Sequence, residues 1–585
     1  MNMYLPKTFL AVILLVNILI AMESNATIGG KVNRKGLIRY IQSSKEVIII
    51  LGLSLVFARA RGVMQDSIFG GLVSNGTIPY KANDLMFDTL QTHSFITVVS
   101  GIFTDSNNEI KFTNYILTAL TFFLFIYSYY LLLDSYFQKS TMRIIFSCLL
   151  SFYNPVYQIF ETFYPALPPG SSTTWGVIGI GLSAFVIASV YQKRYIQGGL
   201  IFGILLISHL SYFIMTSMVI LILQISISIS SQEPRSQFKE FVKFIVSFSF
   251  LLPVTLPYVL KHYVSTIFRF QQNDEKELYS AYLEIFDVHR NPNVSFSKVF
   301  YIASSIGFFL LLCLYLQSKV YSRSTAQKPF SRHYVLFCFL LLLTSTLMYT
   351  ISITLFRMGD TSIFSILMLG RLPLIAGVVL APLYLLFFGV ITKSIITLKN
   401  FHRLKQTCRN IQVFFILFIL ILMGRAEIIH QNRFLKSPYL QVSEGMLDSK
   451  VPCSLVNDAK HILTSPSVGR VLLLNCRSPI LFDYVIDTIP YQRENISKTD
   501  SYMRDLFGFG LTDPPLEIQH KGGISDKSVQ KTWENRTPTE WSNLACKYDF
   551  ETIVVSKSWN SLKLERVGDS SIGSLFQIYK LIPNC

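Results

Sequence analysis

The feature that most constrains this chain is a series of apolar runs, read as helices crossing a bilayer core about 30 Å thick although several are short for it. They cover residues 114–133, 142–153, 175–191, 198–213, 214–230, 241–260, 299–317, 334–356, 372–396 and 411–423. The stretch 198–230 reads either as one long helix or as a tight pair. Two segments precede the series. Residues 9–22 follow Lys7 and resemble a signal-peptide core or a first anchor. Residues 47–58 are apolar over a length that is short for a span, or they end a longer helix that starts in the basic stretch 31–45.

Composition agrees with the runs. Only 15% of the 585 residues are charged and 51% are hydrophobic, with a mean hydropathy of +0.43. A soluble domain carries about 25% charged residues. The fold class expected is therefore a polytopic α-helical membrane protein of about 11–12 spans with a small C-terminal exoplasmic α/β domain. The spans occupy 46–424, after an anchor-like and basic segment at 1–45 and before the tail domain at 425–585.

The formal net charge of +17 raises the question of nucleic acid, and its location answers it. From Arg425 onward there are 19 basic and 18 acidic residues, so the excess lies in the apolar part, between the runs. The segments around Lys139/Arg143, Lys193/Arg194, Arg235/Lys239/Lys243, 319–332 and 399–409 hold 15 basic and 3 acidic residues. The alternate segments 59–113, 157–174, 261–298 and 356–371 hold 11 and 12. Lys and Arg retained on one side orient membrane helices, so the first set is cytoplasmic and the second exoplasmic, together with the tail. No nucleic-acid partner is expected; the partner is the bilayer.

Cysteine usage points the same way. Cys453, Cys476, Cys546 and Cys585 fall in the tail, where an oxidising compartment permits pairing in any of three connectivities. No CxxC or Cys/His spacing suggests a metal site there. Within the tail, 451–463 reads as a helix, 470–476 (RVLLLNC) as a buried strand, 539–548 as a helix and 551–556 as a strand. Residues 562–567 and 574–581 read as a closing pair of strands, and the polar stretch 488–532 as a long loop. No Gly-rich phosphate loop or nucleophile elbow is present.

The candidate chemistry sits in the unusually long exoplasmic loop 59–113. Asp84, Asp88 and His93 stand at i, i+4 and i+9, which puts both carboxylates on one helical face. Such a pair can hold a divalent cation (Mg or Mn) or act as a general base, or it is a set of solvated loop charges. Asp66 is a lesser candidate. Arg371 opens an apolar segment on the exoplasmic side, where it either pairs a lipid phosphate or snorkels to headgroups. Glu161 is the one charge in the Pro-rich segment 154–175, which suits a cavity lining. His209, inside an apolar run, is either functional or a hydrogen-bonded helix-packing residue.

This layout resembles the GT-C superfamily of multi-spanning glycosyltransferases, and the resemblance covers most of the chain. It rests on the acid-bearing first loop, about a dozen spans and an exoplasmic α/β tail. The run Gly199-Leu-Ile-Phe-Gly-Ile-Leu-Leu-Ile-Ser-His209 is similar to a helix of such proteins. The segments Cys546-Lys-Tyr-Asp-Phe-Glu-Thr-Ile-Val-Val and Leu575-Phe-Gln-Ile-Tyr579 are similar to their closing strands. The resemblance implies sugar transfer from a polyprenyl-phosphate donor to an exoplasmic glycan, lipid or protein acceptor, in a bacterial plasma membrane rather than the endoplasmic reticulum. Asp84 or Asp88 would be base or metal ligand, with Arg371 on the donor phosphate and His93, Glu161 and His209 lining the substrate site. The first loop has no adjacent pair of acids, and the tail lacks the WWDYG-type motif of oligosaccharyltransferases. The other classes open to such a chain are a polysaccharide polymerase, a lipid flippase or transporter, and a non-catalytic assembly protein.

Overall fold

The computed structural model describes residues 34–59, 66–81, 84–86, 94–104, 106–134, 137, 139–152, 175–230, 234–260, 273–285, 332–357, 372, 375–382, 453–456, 460–482, 496–518, 524–567, 576–582 and 585. The chain is mostly helical, with one small three-stranded sheet.

The helical part is organised round α4 (Asn107–Leu133), which α1 (Arg34–Arg59), α5 (Ser140–Phe152) and α6 (Trp175–Tyr191) surround. Ser106 starts α4 with a reciprocal cap: its hydroxyl accepts from the Glu109 N–H, and the Glu109 carboxylate accepts from the Ser106 N–H. Two orphan donors are satisfied this way. Apolar and aromatic side chains then cover the helix all round, and it is buried along most of its length. α1 takes the second of the two readings for 47–58, because one helix runs from the basic stretch to Arg59.

The stretch 198–230 is a tight pair, α7 (Tyr195–Ser208) and α8 (Leu210–Ser230), broken at His209, whose φ/ψ of −160/94 is extended. The rings of Phe202 and Phe213 lie 4.3 Å apart. A continuous helix would hold them about 16 Å apart, so the chain folds back. α9 (Pro234–Val259) packs alongside α7 through glycines: a Cβ on Gly199 would meet the Phe244 carbonyl oxygen at 2.4 Å, and one on Gly203 would meet Leu251 at 2.7 Å. The outer face of α9 is apolar and open, with Phe250 77% and Val254 71% exposed. α11 (Arg332–Arg357) completes the described bundle against α8.

Among the described residues, four helical segments are long and apolar enough to cross a membrane: Asn107–Leu133, Leu210–Ser230, Arg235–Val259 and Tyr334–Leu355. Ser140–Ser151, Gly176–Tyr191 and Tyr195–Ser208 are shorter apolar helices. The expected runs at 299–317 and 411–423, most of 372–396 and the anchor-like 9–22 lie outside the described residues.

The bundle has two distinct ends. At one, Glu46 accepts a hydrogen bond from Tyr130, Arg143 pairs with Asp134 and lies over the Tyr130 ring, and Arg194 donates to the Tyr127 hydroxyl at 2.9 Å. At the other lie the short helices of the first loop, α2 (Asp66–Ser74) and α3 (Phe95–Gly101). Ser94, ahead of α3, donates to the Ser208 carbonyl at the α7–α8 break. α2 and α3 touch through Gly71 and Gly101, where any Cβ would come within 2.7 Å of the facing backbone.

The tail contains β1 (Ile462–Thr464), α12 (Gly469–Cys476), α13 (Ile496–Phe507), α14 (Asp526–Asn535), α15 (Pro538–Tyr548), β2 (Thr552–Ser556) and β3 (Phe576–Lys580). The sheet order is β1-β2-β3, with β1 parallel and β3 antiparallel to β2, and Val554 registered against both Thr464 and Ile578. Several expectations need correction. The run RVLLLNC is helix α12, not a strand: its leucines suit either structure, and a short apolar run carries no periodicity that separates them. Of the segment 451–463, the described residues hold a 3-10 turn, Cys453–Leu455, and the start of β1 rather than a helix. The supposed loop 488–532 contains α13 and most of α14. Residues 562–567 make only an isolated bridge, Arg566 to Tyr579. The disulfides are Cys453–Cys476 and Cys546–Cys585, one of the three pairings left open.

The tail does not enclose its own core. Val471, Leu472, Phe482 and Ile553 share one cluster with Ile68, Phe69, Leu72, Ile78, Leu85 and Met86 of the first loop. Tyr279, Tyr282 and Leu283 of α10 (Asn273–Ile285) join it. First loop, α10 and tail are thus one packed unit at one end of the bundle.

Candidate functional site

Where the first loop enters that unit, its backbone is held residue by residue. Ile78 is buried, and Tyr80 clasps the peptide of Ile480, donating to its carbonyl at 3.0 Å and accepting from its N–H at 2.9 Å. The chain then turns tightly. Lys81 O accepts from the Asp84 N–H at 3.0 Å, and the Asp84 carboxylate accepts from the Lys81 N–H at 2.6 Å. Leu85 and Met86 follow as helical, buried residues. Asp84 therefore stands ahead of a helical turn rather than within it, its carboxylate held back onto the N–H of the residue three positions earlier.

The tail supplies the partner. His461, immediately before β1, has Nε2 3.1 Å from the Asp84 Oδ2. Its Nδ1 lies 3.3 Å from the Asp549 carbonyl oxygen. Both neighbours are acceptors, so each ring nitrogen can bond only as a donor, Nδ1 to the carbonyl and Nε2 to the carboxylate. Asp549 ends α15 in the left-handed region (φ 53), and its carboxylate pairs with Lys460 at 3.2 Å. One residue thus fixes two groups of the site.

Arg477 closes the other side. It ends α12 with a φ of 55, directly after the disulfide-bonded Cys476. That left-handed position is usually taken by Gly or Asn. Its Nη2 donates to Asn107 at the start of α4 at 2.8 Å, while Nη1 is buried with no acceptor. Burial holds its pKa below the ordinary guanidinium value. Burial, followed by the nearby Tyr548 and Asp84, pushes the Tyr502 phenol up to about 12.

These groups line a cavity of about 380 Å³, whose walls also include Pro79, Ser478 and Pro479. Asp84 is the one carboxylate on the described wall, facing His461, Lys81, Lys460 and Arg477. Asp88, the other carboxylate expected to share a divalent cation with Asp84, lies outside the described residues. The described donor set fits a base held beside an anion.

Asp88, His93, Glu161 and Arg371 lie outside the described residues, and Asp66 opens α2 with its side chain likewise outside them. His209 packs between helices: its ring sits 4.2 Å from that of Tyr212, its Nδ1 is 3.4 Å from the Tyr212 N–H, and Gly179 makes room for it. His461, Lys460 and Arg477 went unnoticed in the sequence. No spacing pattern links them to Asp84 across nearly 400 positions. No protein-family model matches the chain, and comparison with curated proteins finds no match.

Proposed function

We propose that this chain is a multi-spanning membrane protein whose first loop and tail lie on the exoplasmic side. In this reading it is a GT-C-type glycosyltransferase that moves a sugar from a polyprenyl-phosphate donor to an exoplasmic acceptor. The membrane part is supported by the apolar open face of α9 and the four long apolar helices. The sidedness is supported by the two tail disulfides and by the polar clusters that separate the bundle's ends.

The single observation that carries the catalytic reading is the Asp84–His461 pair inside a cation-lined cavity. In that reading Asp84 takes the proton of an acceptor hydroxyl as its oxygen bonds to the anomeric carbon. The bond from that carbon to the donor phosphate breaks, and the cations hold the departing anion. His461 orients the carboxylate. Each of these steps uses groups on the described cavity wall.

The test is transfer of radiolabelled sugar from polyprenyl-phosphate donors by the purified protein in liposomes. Asp84→Asn is expected to lower turnover by about 10²–10⁴-fold, the usual contribution of a general base, with His461→Asn lowering it less. Turnover indifferent to Asp84→Asn would remove Asp84 from the role of base.

A further inference from the structure

Two helices serve as rulers for the height of the first loop. Lys193 and Arg194 mark the cytoplasmic level, and Gln192 beside them donates to the Leu131 carbonyl of α4 at 2.6 Å. On α9, Phe241 lies between the exposed Lys239 and Lys243, and its ring is 6.1 Å from that of Tyr195, the first residue of α7. At 1.5 Å per residue, α7 rises only about 20 Å from Tyr195 to Ser208, whose carbonyl accepts from Ser94. On α4, Thr113 stands about 27 Å above Leu131, and its hydroxyl donates to the Phe103 carbonyl at 2.7 Å. Both ends of the α3 segment, Ser94 and Phe103, are thus tied below the top of a hydrocarbon core about 30 Å thick, and any helix tilt sets them lower.

The chemistry of the segment suits that depth. Residues 94–104 carry no charge. Ile96, Thr97, Ser100 and Gly101 are buried, the last two against α2. The outward stripe is Phe95, Val98 and Ile102, at i, i+3 and i+7, with Ile102 63% exposed. A helix of a water-facing loop turns a polar face outward instead. The hydroxyls of Ser94, Ser100 and Thr104 donate to the carbonyls of Ser208, Ser67 and Gly101, as irregular chain at membrane depth requires. Three side chains fall short of the roughly 800 Å² a side that a stable protein contact needs, so lipid rather than a second chain is the occupant.

We propose that α3 is a lipid-facing foot of the first loop, with Phe95, Val98 and Ile102 among the acyl chains of the exoplasmic leaflet. α2 carries the foot into the loop–tail core through Ile68 and Leu72, so the candidate site is held at a fixed height over the bilayer. The inference rests on the membrane reading and its sidedness and is indifferent to the glycosyltransferase one.

The test uses the full-length protein in phospholipid vesicles, with a photoreactive residue placed singly as Ile102→benzoylphenylalanine, Val254→benzoylphenylalanine or Leu516→benzoylphenylalanine. Val254 lies on the open face of α9, and Leu516 is 85% exposed on the tail. After illumination, mass spectrometry finds lipid adducts, and fragmentation assigns each to an acyl chain or a headgroup. The two tail disulfides, read in the same digest, report that each variant is folded. Val98, one turn earlier, replaces Ile102 if that variant lacks them. Ile102 is expected to give an acyl-chain adduct, as Val254 does, and Leu516 none. With Val254 labelled, an Ile102 probe that joins only headgroups, only protein or nothing would overturn the proposal and leave the membrane reading standing. No lipid adduct at Val254 or Ile102 would overturn both.

Discussion

The helical bundle and the loop–tail unit satisfy their polar groups in opposite ways. In the bundle, Thr121 donates to the Leu117 carbonyl, Ser183 to Gly179, Ser226 to Ile222 and Thr346 to Leu342, each within one turn of its own helix. In the tail, Trp533 donates to Leu506, Gln577 to Trp559, and Trp559 to Asp526, each joining separate segments. Where these Ser and Thr hydroxyls are spent locally, shape sets much of how the helices meet, and Gly199 and Gly203 show how finely it does so. Where polar groups reach across, they set the arrangement themselves. The candidate site lies in the second kind of structure, which is suited to holding a carboxylate and a ring nitrogen at fixed separation.

The largest expected effect strikes the tail. Trp533 is fully buried, edge-on to Trp541 and Trp559, and bonded through Nε1. Trp533→Ala should cost about 3–5 kcal/mol, read as protease sensitivity of the tail; a tail left resistant would mean its cross-links carry no such weight. Next comes the bundle, through shape alone. Gly199→Ala should cost about 1–3 kcal/mol as α7 and α9 are forced apart, seen as a lower Tm. Gly52→Ala, where nothing lies within 4 Å, should be neutral or slightly stabilising. Equal Tm values for the two would break the argument from close approach. The smallest effect should be Thr121→Val, under about 0.5 kcal/mol because a hydroxyl bonded within its own turn adds little. A drop of several degrees would mean that bundle hydroxyls do more than the geometry assigns them.

Much of this organisation was legible. The run 175–191 emerges as α6 over the same residues, because a helix apolar on every face needs no phase to be recognised. Likewise α15 announces itself with Thr537, Pro538 and Glu540 as cap, first turn and capping-box partner. By contrast, α13 carries its signal in Ile496, Met503, Leu506 and Phe507, a sparse stripe that the polar residues between them hid. The site was half legible. Asp84 stood out as an acid in a long loop, but His461 and Arg477 look locally like ordinary surface residues. Only the tertiary fold brings them to Asp84.

The clasp between Tyr80 and Ile480 joins residues 400 positions apart. A ribosome adding roughly 5–20 residues per second makes the loop roughly 20–80 seconds before its partner exists. For that interval Ile68, Leu72, Ile78 and Leu85 lack the tail surface that later buries them. A chain truncated anywhere before β1 keeps that sticky face open permanently. Burial of the loop's apolar face therefore waits on the tail, and until the tail arrives that face stays open to whatever the nascent chain meets.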